Sequence, residues 1–370
     1  MTDQLRWGIL GTGRIAAALA KGIAGTDVAS LQAIGSRAQA TADAFGDTWN
    51  VPNRHTTYEG LLADPQVDAV YIALPNHLHA PWAIAAANAG KHILCEKPLA
   101  MDQAEAQSII DAAKANDVFM MEAFMYRCHP QTAKLVELIQ EDAIGRVRMV
   151  QSTFSFSMDP KRVVENGDCR LWNAEGGGAM MDVGCYCSSL TRLAIGTYLG
   201  VEGKHFADPI NLTGHATFHK PEGPNKVDMA ATASAIFPGR VNDPNRAYTN
   251  NGEDTGEDVN IVASLTTGFS ADASRDFYVY GETGFIHIED PWFAHECRKI
   301  SIQRTGETEP EAVLIEEDGK DLYTTEVESV TANIANRQVA PPGHTWDDSI
   351  SNMRMLDMWR AAVGLEWEQK

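Results

Sequence analysis

Residues 5–10 form a short apolar run that ends in Gly11-Thr12-Gly13-Arg14-Ile15-Ala16, and a helix-forming stretch, residues 15–23, follows directly. A strand, a Gly-x-Gly-x-x-Ala turn and a helix in that order leave few folds open. The first glycine permits a tight turn. The second lets the backbone approach a pyrophosphate, and the unsatisfied N–H groups of the helix terminus stabilise the anion. Glycine turns between strand and helix are common, so the context carries the assignment: strand before, helix after, further βα units beyond. We therefore read Gly11, Thr12, Gly13, Arg14 and Ile15 as a dinucleotide-phosphate site. The second strand, residues 28–34, ends in Gly35-Ser36-Arg37. An acidic side chain there would accept from a free ribose 2′-hydroxyl. A hydroxyl and a guanidinium, Ser36 and Arg37, suit a 2′-phosphate, which favours NADP and leaves NAD as the alternative.

Strand-like and helix-like stretches continue to alternate through residue 121, the pattern of βαβ units on a parallel sheet. The strongest strand, residues 67–74, ends in Leu74-Pro75-Asn76 followed by His77 and His79, and the short strand 92–95 ends in Glu96-Lys97-Pro98. Ligands bind over the carboxyl ends of parallel strands, so Leu74, Pro75, Asn76, His79, Glu96 and Lys97 are candidate cofactor contacts, and His77 a candidate substrate contact. Lys97-Pro98 is a candidate cis peptide. After residue 125 the pattern changes. A helix is expected at 131–140, a strand at 146–157 and a helix opened by Gly176-Gly177-Gly178 and running to about 195. Strands follow at 210–219, 229–237, 259–268, 277–280 and 285–288, as in a mostly antiparallel sheet, with a polar loop at 239–256 and two last helices near 326–337 and 346–365. The expected domains are 1–125 for the dinucleotide, 126–325 for substrate and oligomer contacts, and 326–370 as helices packed back on the body.

With 370 residues, a net charge of −20 disfavours nucleic acid and acidic membrane surfaces as partners. No apolar stretch has the length of a membrane helix, and no secretory signal is visible at the N-terminus. Six cysteines, Cys95, Cys128, Cys169, Cys185, Cys187 and Cys297, form no Cys-x-x-Cys pair, which points to reduced thiols in a cytoplasmic protein and to no metal. The methionines of 120–125 and 180–181, with Trp7 and Trp346, are expected to be structural.

Five motifs in order carry a resemblance. Gly11-Thr12-Gly13, Pro75-Asn76 with His79, Glu96-Lys97-Pro98, the run from Met121 to Arg127 with His129-Pro130, and the run from Gly176 to Tyr186 resemble the glucose–fructose oxidoreductase/inositol dehydrogenase (Gfo/Idh/MocA) family over at least residues 5–190. The resemblance implies an α/β protein with an N-terminal Rossmann domain and a C-terminal α/β domain whose large, mostly antiparallel open sheet supports a homodimer or homotetramer. It also implies a catalytic Lys97. Many members carry Asp and His four apart in the last motif. Here Asp182 is followed by Tyr186, as in the branch of dimeric dihydrodiol dehydrogenases and D-xylose 1-dehydrogenases.

Asp182 and Tyr186 are four apart on an expected helix and so share a face. A nearby ammonium such as Lys97 would lower a tyrosine pKa from its ordinary value near 10, fitting Tyr186 to take a hydroxyl proton as hydride leaves for the nicotinamide. Asp182 would orient the substrate or the lysine. Arg127, Phe156 and Trp172 are further candidate substrate contacts, with His129 beside them. The expected function is NADP-dependent hydride transfer at a sugar hydroxyl, C1 of an aldopyranose. Other readings are a trans-dihydrodiol or 1,5-anhydro-sugar reductase-like enzyme, a redox glycosidase holding NAD, and an NADPH-binding regulator.

Overall fold

A computed structural model describes residues 4–165, 167–200, 205–220, 225–241, 257–294, 298–316 and 319–368. The chain divides into two units, Met1–His129 with Asp318–Met353, and Pro130–Glu317 with Arg354–Lys370.

The first unit alternates β1 (Leu5–Leu10), α1 (Arg14–Ala24), β2 (Ala29–Gly35), α2 (Gln39–Trp49), β3 (Asn53–His55), α3 (Tyr58–Leu62), β4 (Ala69–Ile72), α4 (His79–Asn88), β5 (His92–Cys95), α5 (Gln103–Ala115) and β6 (Met120–Glu122). The strands form one parallel sheet in the order β3-β2-β1-β4-β5-β6. That order is the doubly wound dinucleotide-binding arrangement, whose ligand crevice lies at the carboxyl ends of β1 and β4, where the strand order reverses. All four residues of β4 are buried, as helices on both sheet faces require. On α1 the buried residues Ala16, Leu19, Ala20 and Ile23 recur at helical spacing. Thr57 caps α3 by accepting the Gly60 N–H, and Asp102 caps α5 by accepting that of Glu105. Trp7 and Met120, Met121 and Met125 are buried, in line with their expected structural role.

The second unit holds α6 (Pro130–Gln140), β7 (Val147–Ser155), α7 (Pro160–Glu165), α8 (Cys185–Leu199), β8 (Asn211–His219), β9 (Val227–Val241), β10 (Glu257–Gly268), β11 (Asp276–Gly281), β12 (Gly284–Glu289), β13 (Lys299–Arg304) and β14 (Glu311–Leu314). Among the described residues its eight strands run β14-β13-β12-β11-β7-β10-β9-β8. Only β7 and β10 pair in parallel among these neighbours. Helix α8, buried at all of its positions, packs on β7, β9 and β10. The last helices are α9 (Leu322–Asn333) and α10 (Trp346–Ala362), and the division between the units falls inside α10.

Several elements differ from the expectation. β13, β14 and α7 were not expected. β9 continues through Gly239–Val241, where a polar loop was expected, and the rest of that loop, 242–256, lies outside the described residues. The expected helix after Gly178 begins as a π turn, Met180–Gly184, before α8. Cys95, Cys128, Cys169, Cys185 and Cys187 are free thiols, and Cys297 lies outside the described residues.

Candidate active site

Gly11 follows β1 with φ +104°, and a Cβ there would stand 2.6 Å from the Ala73 carbonyl oxygen. Its conformation and its crowding both require glycine. Gly13 precedes α1 and, its chain neighbours aside, has no atom of the described residues within 4 Å of where its Cβ would be. The space above Gly13 is therefore open to a ligand, and no acidic residue in the first turn of α1 opposes an anion there. Arg14 is exposed; Thr12 and Ile15 are half-buried. At the end of β2, Ser36 Oγ is 2.6 Å from Thr41 Oγ1, the Ser36 N–H donates to His55 O at 3.0 Å, and Arg37 is exposed.

Lys97 is half-buried, and the Lys97–Pro98 peptide is cis, as is Pro341–Pro342. Three side chains hold the turn. The Lys97 N–H donates to Glu96 Oε2 at 3.2 Å, the Pro98 carbonyl oxygen lies 2.9 Å from His79 Nδ1, and the Leu99 N–H donates to Glu122 Oε1 at 2.9 Å. His79 Nε2 lies 2.7 Å from the Leu74 carbonyl oxygen, so one ring ties the segments after β4 and β5 together. Burial pushes the His79 imidazole down to about 4, against the two carbonyl contacts, which favour the protonated ring. Glu96 also accepts the Tyr71 hydroxyl. His79 and Glu96, expected to touch the cofactor, thus turn their side chains into the first unit. Leu74, Pro75, Asn76 and His77 are half-buried, and Asn76 opens a 3-10 turn.

Behind the turn lies a polar cluster that the sequence did not announce. Glu122 Oε2 is 3.2 Å from His344 Nδ1, and both side chains have no exposure. The same ring nitrogen is 2.8 Å from Ser349 Oγ, while His344 Nε2 is 3.7 Å from Asp348 Oδ2. Arg127 completes the cluster, donating to Asp348 Oδ2 at 2.8 Å and to the Pro342 carbonyl at 2.5 Å. Arg127 was expected to contact substrate; it is 2 % exposed, and these bonds lie inside the unit. Its neighbour His129 is likewise buried.

In the second unit, Asp182 lies in the π turn and Tyr186 in the first turn of α8. The two therefore do not share one regular α-helix. Asp228 of β9 anchors the start of this segment, accepting the Met180 N–H at 2.7 Å, and burial pushes its carboxyl up to about 7. Single π turns recur at functional sites because they re-aim side chains within a helix. The Asp182 carboxylate accepts from Arg170 Nε at 2.6 Å, and Arg170 also bonds Asp168 at 2.8 Å. Asp182 raises the Arg170 guanidinium above its ordinary value against the cost of burial. Sequence reasoning missed Arg170, because its partner is set by the Gly176–Gly178 turn and not by helical spacing. Tyr186 is 6 % exposed, with its ring edge-on to Phe154 at 5.4 Å and to Trp292 at 5.7 Å. Phe156 packs on Phe269 at 5.2 Å, and Trp172 is 39 % exposed.

A family model described as an oxidoreductase family with an NAD-binding Rossmann fold matches residues 5–124. A second, for the GFO/IDH/MocA C-terminal domain, matches residues 132–287. The chain belongs to the Gfo/Idh/MocA family. Within it, the chain is 42 % identical over 193 residues to a D-xylose 1-dehydrogenase (NADP(+)) of Haloferax volcanii, covering 52 % of this chain and 58 % of the relative. It is 34 % identical over 187 residues to a trans-1,2-dihydrobenzene-1,2-diol dehydrogenase of Danio rerio, covering 50 % of this chain and 54 % of the relative. The matches thus span little more than half the length of these relatives. A 3-ketoreductase from Actinomadura kijaniata, solved with NADP and TDP-benzene, has the same fold, with TM-score 0.79, 23 % identity and 98 % of each chain covered. Among the described residues no helix is long and apolar enough to cross a membrane, and no group of three His, Cys, Asp or Glu side chains is placed to hold a metal ion.

Proposed function

We propose that this protein is an NADP-dependent oxidoreductase that transfers hydride between a sugar hydroxyl, most plainly C1 of an aldopyranose, and nicotinamide. The observation that carries the reading is the pairing of an open phosphate-binding turn at Gly13 with a lysine turn held at three successive residues, both at strand ends of the same parallel sheet. Bound NADP would supply the hydride acceptor. The exposed Arg37 beside Ser36, with no carboxylate in the Gly35-Ser36-Arg37 turn, favours the 2′-phosphate form. In oxidation, Tyr186 takes the hydroxyl proton as the C–H electron pair leaves as hydride; in reduction it returns that proton. Lys97 supplies the positive charge that favours the phenolate, and Asp182, fixed by Arg170, accepts from a substrate hydroxyl. Phe156 and Trp172 offer aromatic faces for a sugar ring. The relative named as a diol dehydrogenase puts trans-diols beside aldoses as substrates to try.

The deciding experiment follows absorbance at 340 nm with NADP or NAD and a panel of aldoses, inositols and trans-diols. Turnover of an aldose with NADP is expected. Lys97→Met and Tyr186→Phe each lower kcat by at least about a hundredfold while NADPH still binds, as loss of general acid–base catalysis requires. Tight NADPH binding without turnover on any panel member would instead support the redox glycosidase or the regulator.

The open face of the second unit's sheet supports a homo-oligomer. Ile236, Val262, Met149, Tyr280 and Phe285 stand side by side across five strands by the pairing register. The neighbouring row, Ser234, Ser264, Gln151, Tyr278 and His287, is polar and aromatic. An apolar row rimmed by polar groups is the pattern of a buried contact. The free thiols fit a reducing compartment, which we propose is the cytoplasm.

A further inference from the structure

Glu122 ends β6 with its carboxylate wholly out of solvent. Burying a carboxylate is costly unless both oxygens are met. One oxygen accepts the Leu99 N–H at 2.9 Å, and the other faces His344 Nδ1 at 3.2 Å. Leu99 is two residues beyond Lys97, and the intervening Pro98 has no N–H to hold. Glu122 thus holds the first available N–H after the lysine. Asp348 and Ser349, on the helix turn after His344, fix the imidazole from its own side, and Arg127 fixes Asp348.

A lysine head group rides on four rotatable bonds, so its reach is limited from the backbone end. We propose that Glu122 is a positioning residue for Lys97: it locks the turn that carries the lysine, with the His344 ring beside its second oxygen. The proposal rests on the reading of Lys97 as a group that serves hydride transfer. Glu122 itself touches neither cofactor nor substrate; it acts through the Leu99 peptide.

The test measures turnover per NADPH-binding site, titrated by nicotinamide fluorescence, so that any unfolded fraction drops out. Misplacing a reacting group by about 1 Å costs on the order of a hundredfold. Glu122→Ala is therefore expected to lower kcat per site at least about tenfold, with KM for the sugar and Kd for NADPH within about twofold. Glu122→Gln keeps an oxygen for the Leu99 N–H and is expected to restore kcat to within about threefold of wild type. Glu122→Asp, shortened by one methylene, is expected to fall between them. The proposal is overturned if Glu122→Ala keeps wild-type kcat per site, or if Glu122→Gln is no better than Glu122→Ala. Should Glu122→Ala not fold, wild-type kcat per site in Glu122→Asp overturns it equally. Lys97→Met, run in parallel, separates the two readings. Unchanged turnover there removes the role of Lys97 itself, whereas its loss beside a silent Glu122 removes only the positioning.

Discussion

Gly11 and Gly13 look equivalent in a Gly-x-Gly pattern, yet they answer to different constraints. Gly11 is required by the protein: φ is +104° and the Ala73 carbonyl oxygen crowds any Cβ. Gly11→Ala should therefore destabilise the free protein by about 2 kcal/mol or more, visible as a lower urea midpoint without cofactor. Gly13 is crowded by nothing among the described residues. Gly13→Ala should leave the unfolding free energy from urea titration within about 0.5 kcal/mol of wild type and weaken NADPH binding at least about tenfold, because the added methyl would meet the pyrophosphate. Equal loss of stability in both variants would contradict this division of roles. At this scale the sequence was informative where chemistry is local. It marked the phosphate turn and the lysine turn. It also marked His79 and Glu96, but not what they touch: their partners are Leu74, Pro98 and Tyr71, assembled by the sheet. Arg127 is the sharper case. A guanidinium in a motif reads as a ligand contact, but Asp348 and the Pro342 carbonyl, brought in by the C-terminal segment, hold it inside the fold.

Helix α9 packs on α1, and Gly22 is where they approach. A Cβ on Gly22 would lie 2.7 Å from the Tyr323 backbone and Cβ, and the Thr324 hydroxyl donates to the Gly22 carbonyl at 3.1 Å. Helix propensity favours alanine over glycine by about 1 kcal/mol. The contact is with backbone, which cannot swing aside, and overpacking costs about 1–3 kcal/mol. Gly22→Ala should therefore be net destabilising by about 1 kcal/mol in a denaturant titration; a stabilised variant would mean that the helices separate freely. Elements such as β5 and α6 sit within a residue of where the sequence placed them. β13 and β14 escaped because they lie toward one edge of the sheet and carry charged residues such as Lys299, Arg304 and Glu311. The π turn escaped for another reason. Nothing in Met180–Gly184 signals it locally; Asp228 holds its start, and Trp359 and Thr267 close around Gly184.

At the scale of the molecule, the eight-stranded sheet presents Val262 between Met149 and Ile236, each between 36 % and 41 % exposed. If this face joins copies of the chain, Val262→Asp places a charge in an apolar row on both sides of a two-fold contact. Association should weaken at least about a hundredfold, since an unpaired buried charge costs several kcal/mol. Sedimentation velocity at micromolar protein should then show wild-type dimers or larger species and monomeric variant. A monomeric wild type, or an unaltered variant, would sink the proposal. The sequence by itself determined the class of the fold, the phosphate turn, the place of Lys97 at a strand end and the order of the motifs, because each is written in spacing over a few residues. Only the tertiary structure decided what holds that lysine. Glu122 reaches it through Leu99, and His344, from a distant part of the chain, lies beside Glu122. Buried polar groups must find partners wherever the fold brings them, and that pairing has no local sequence signature.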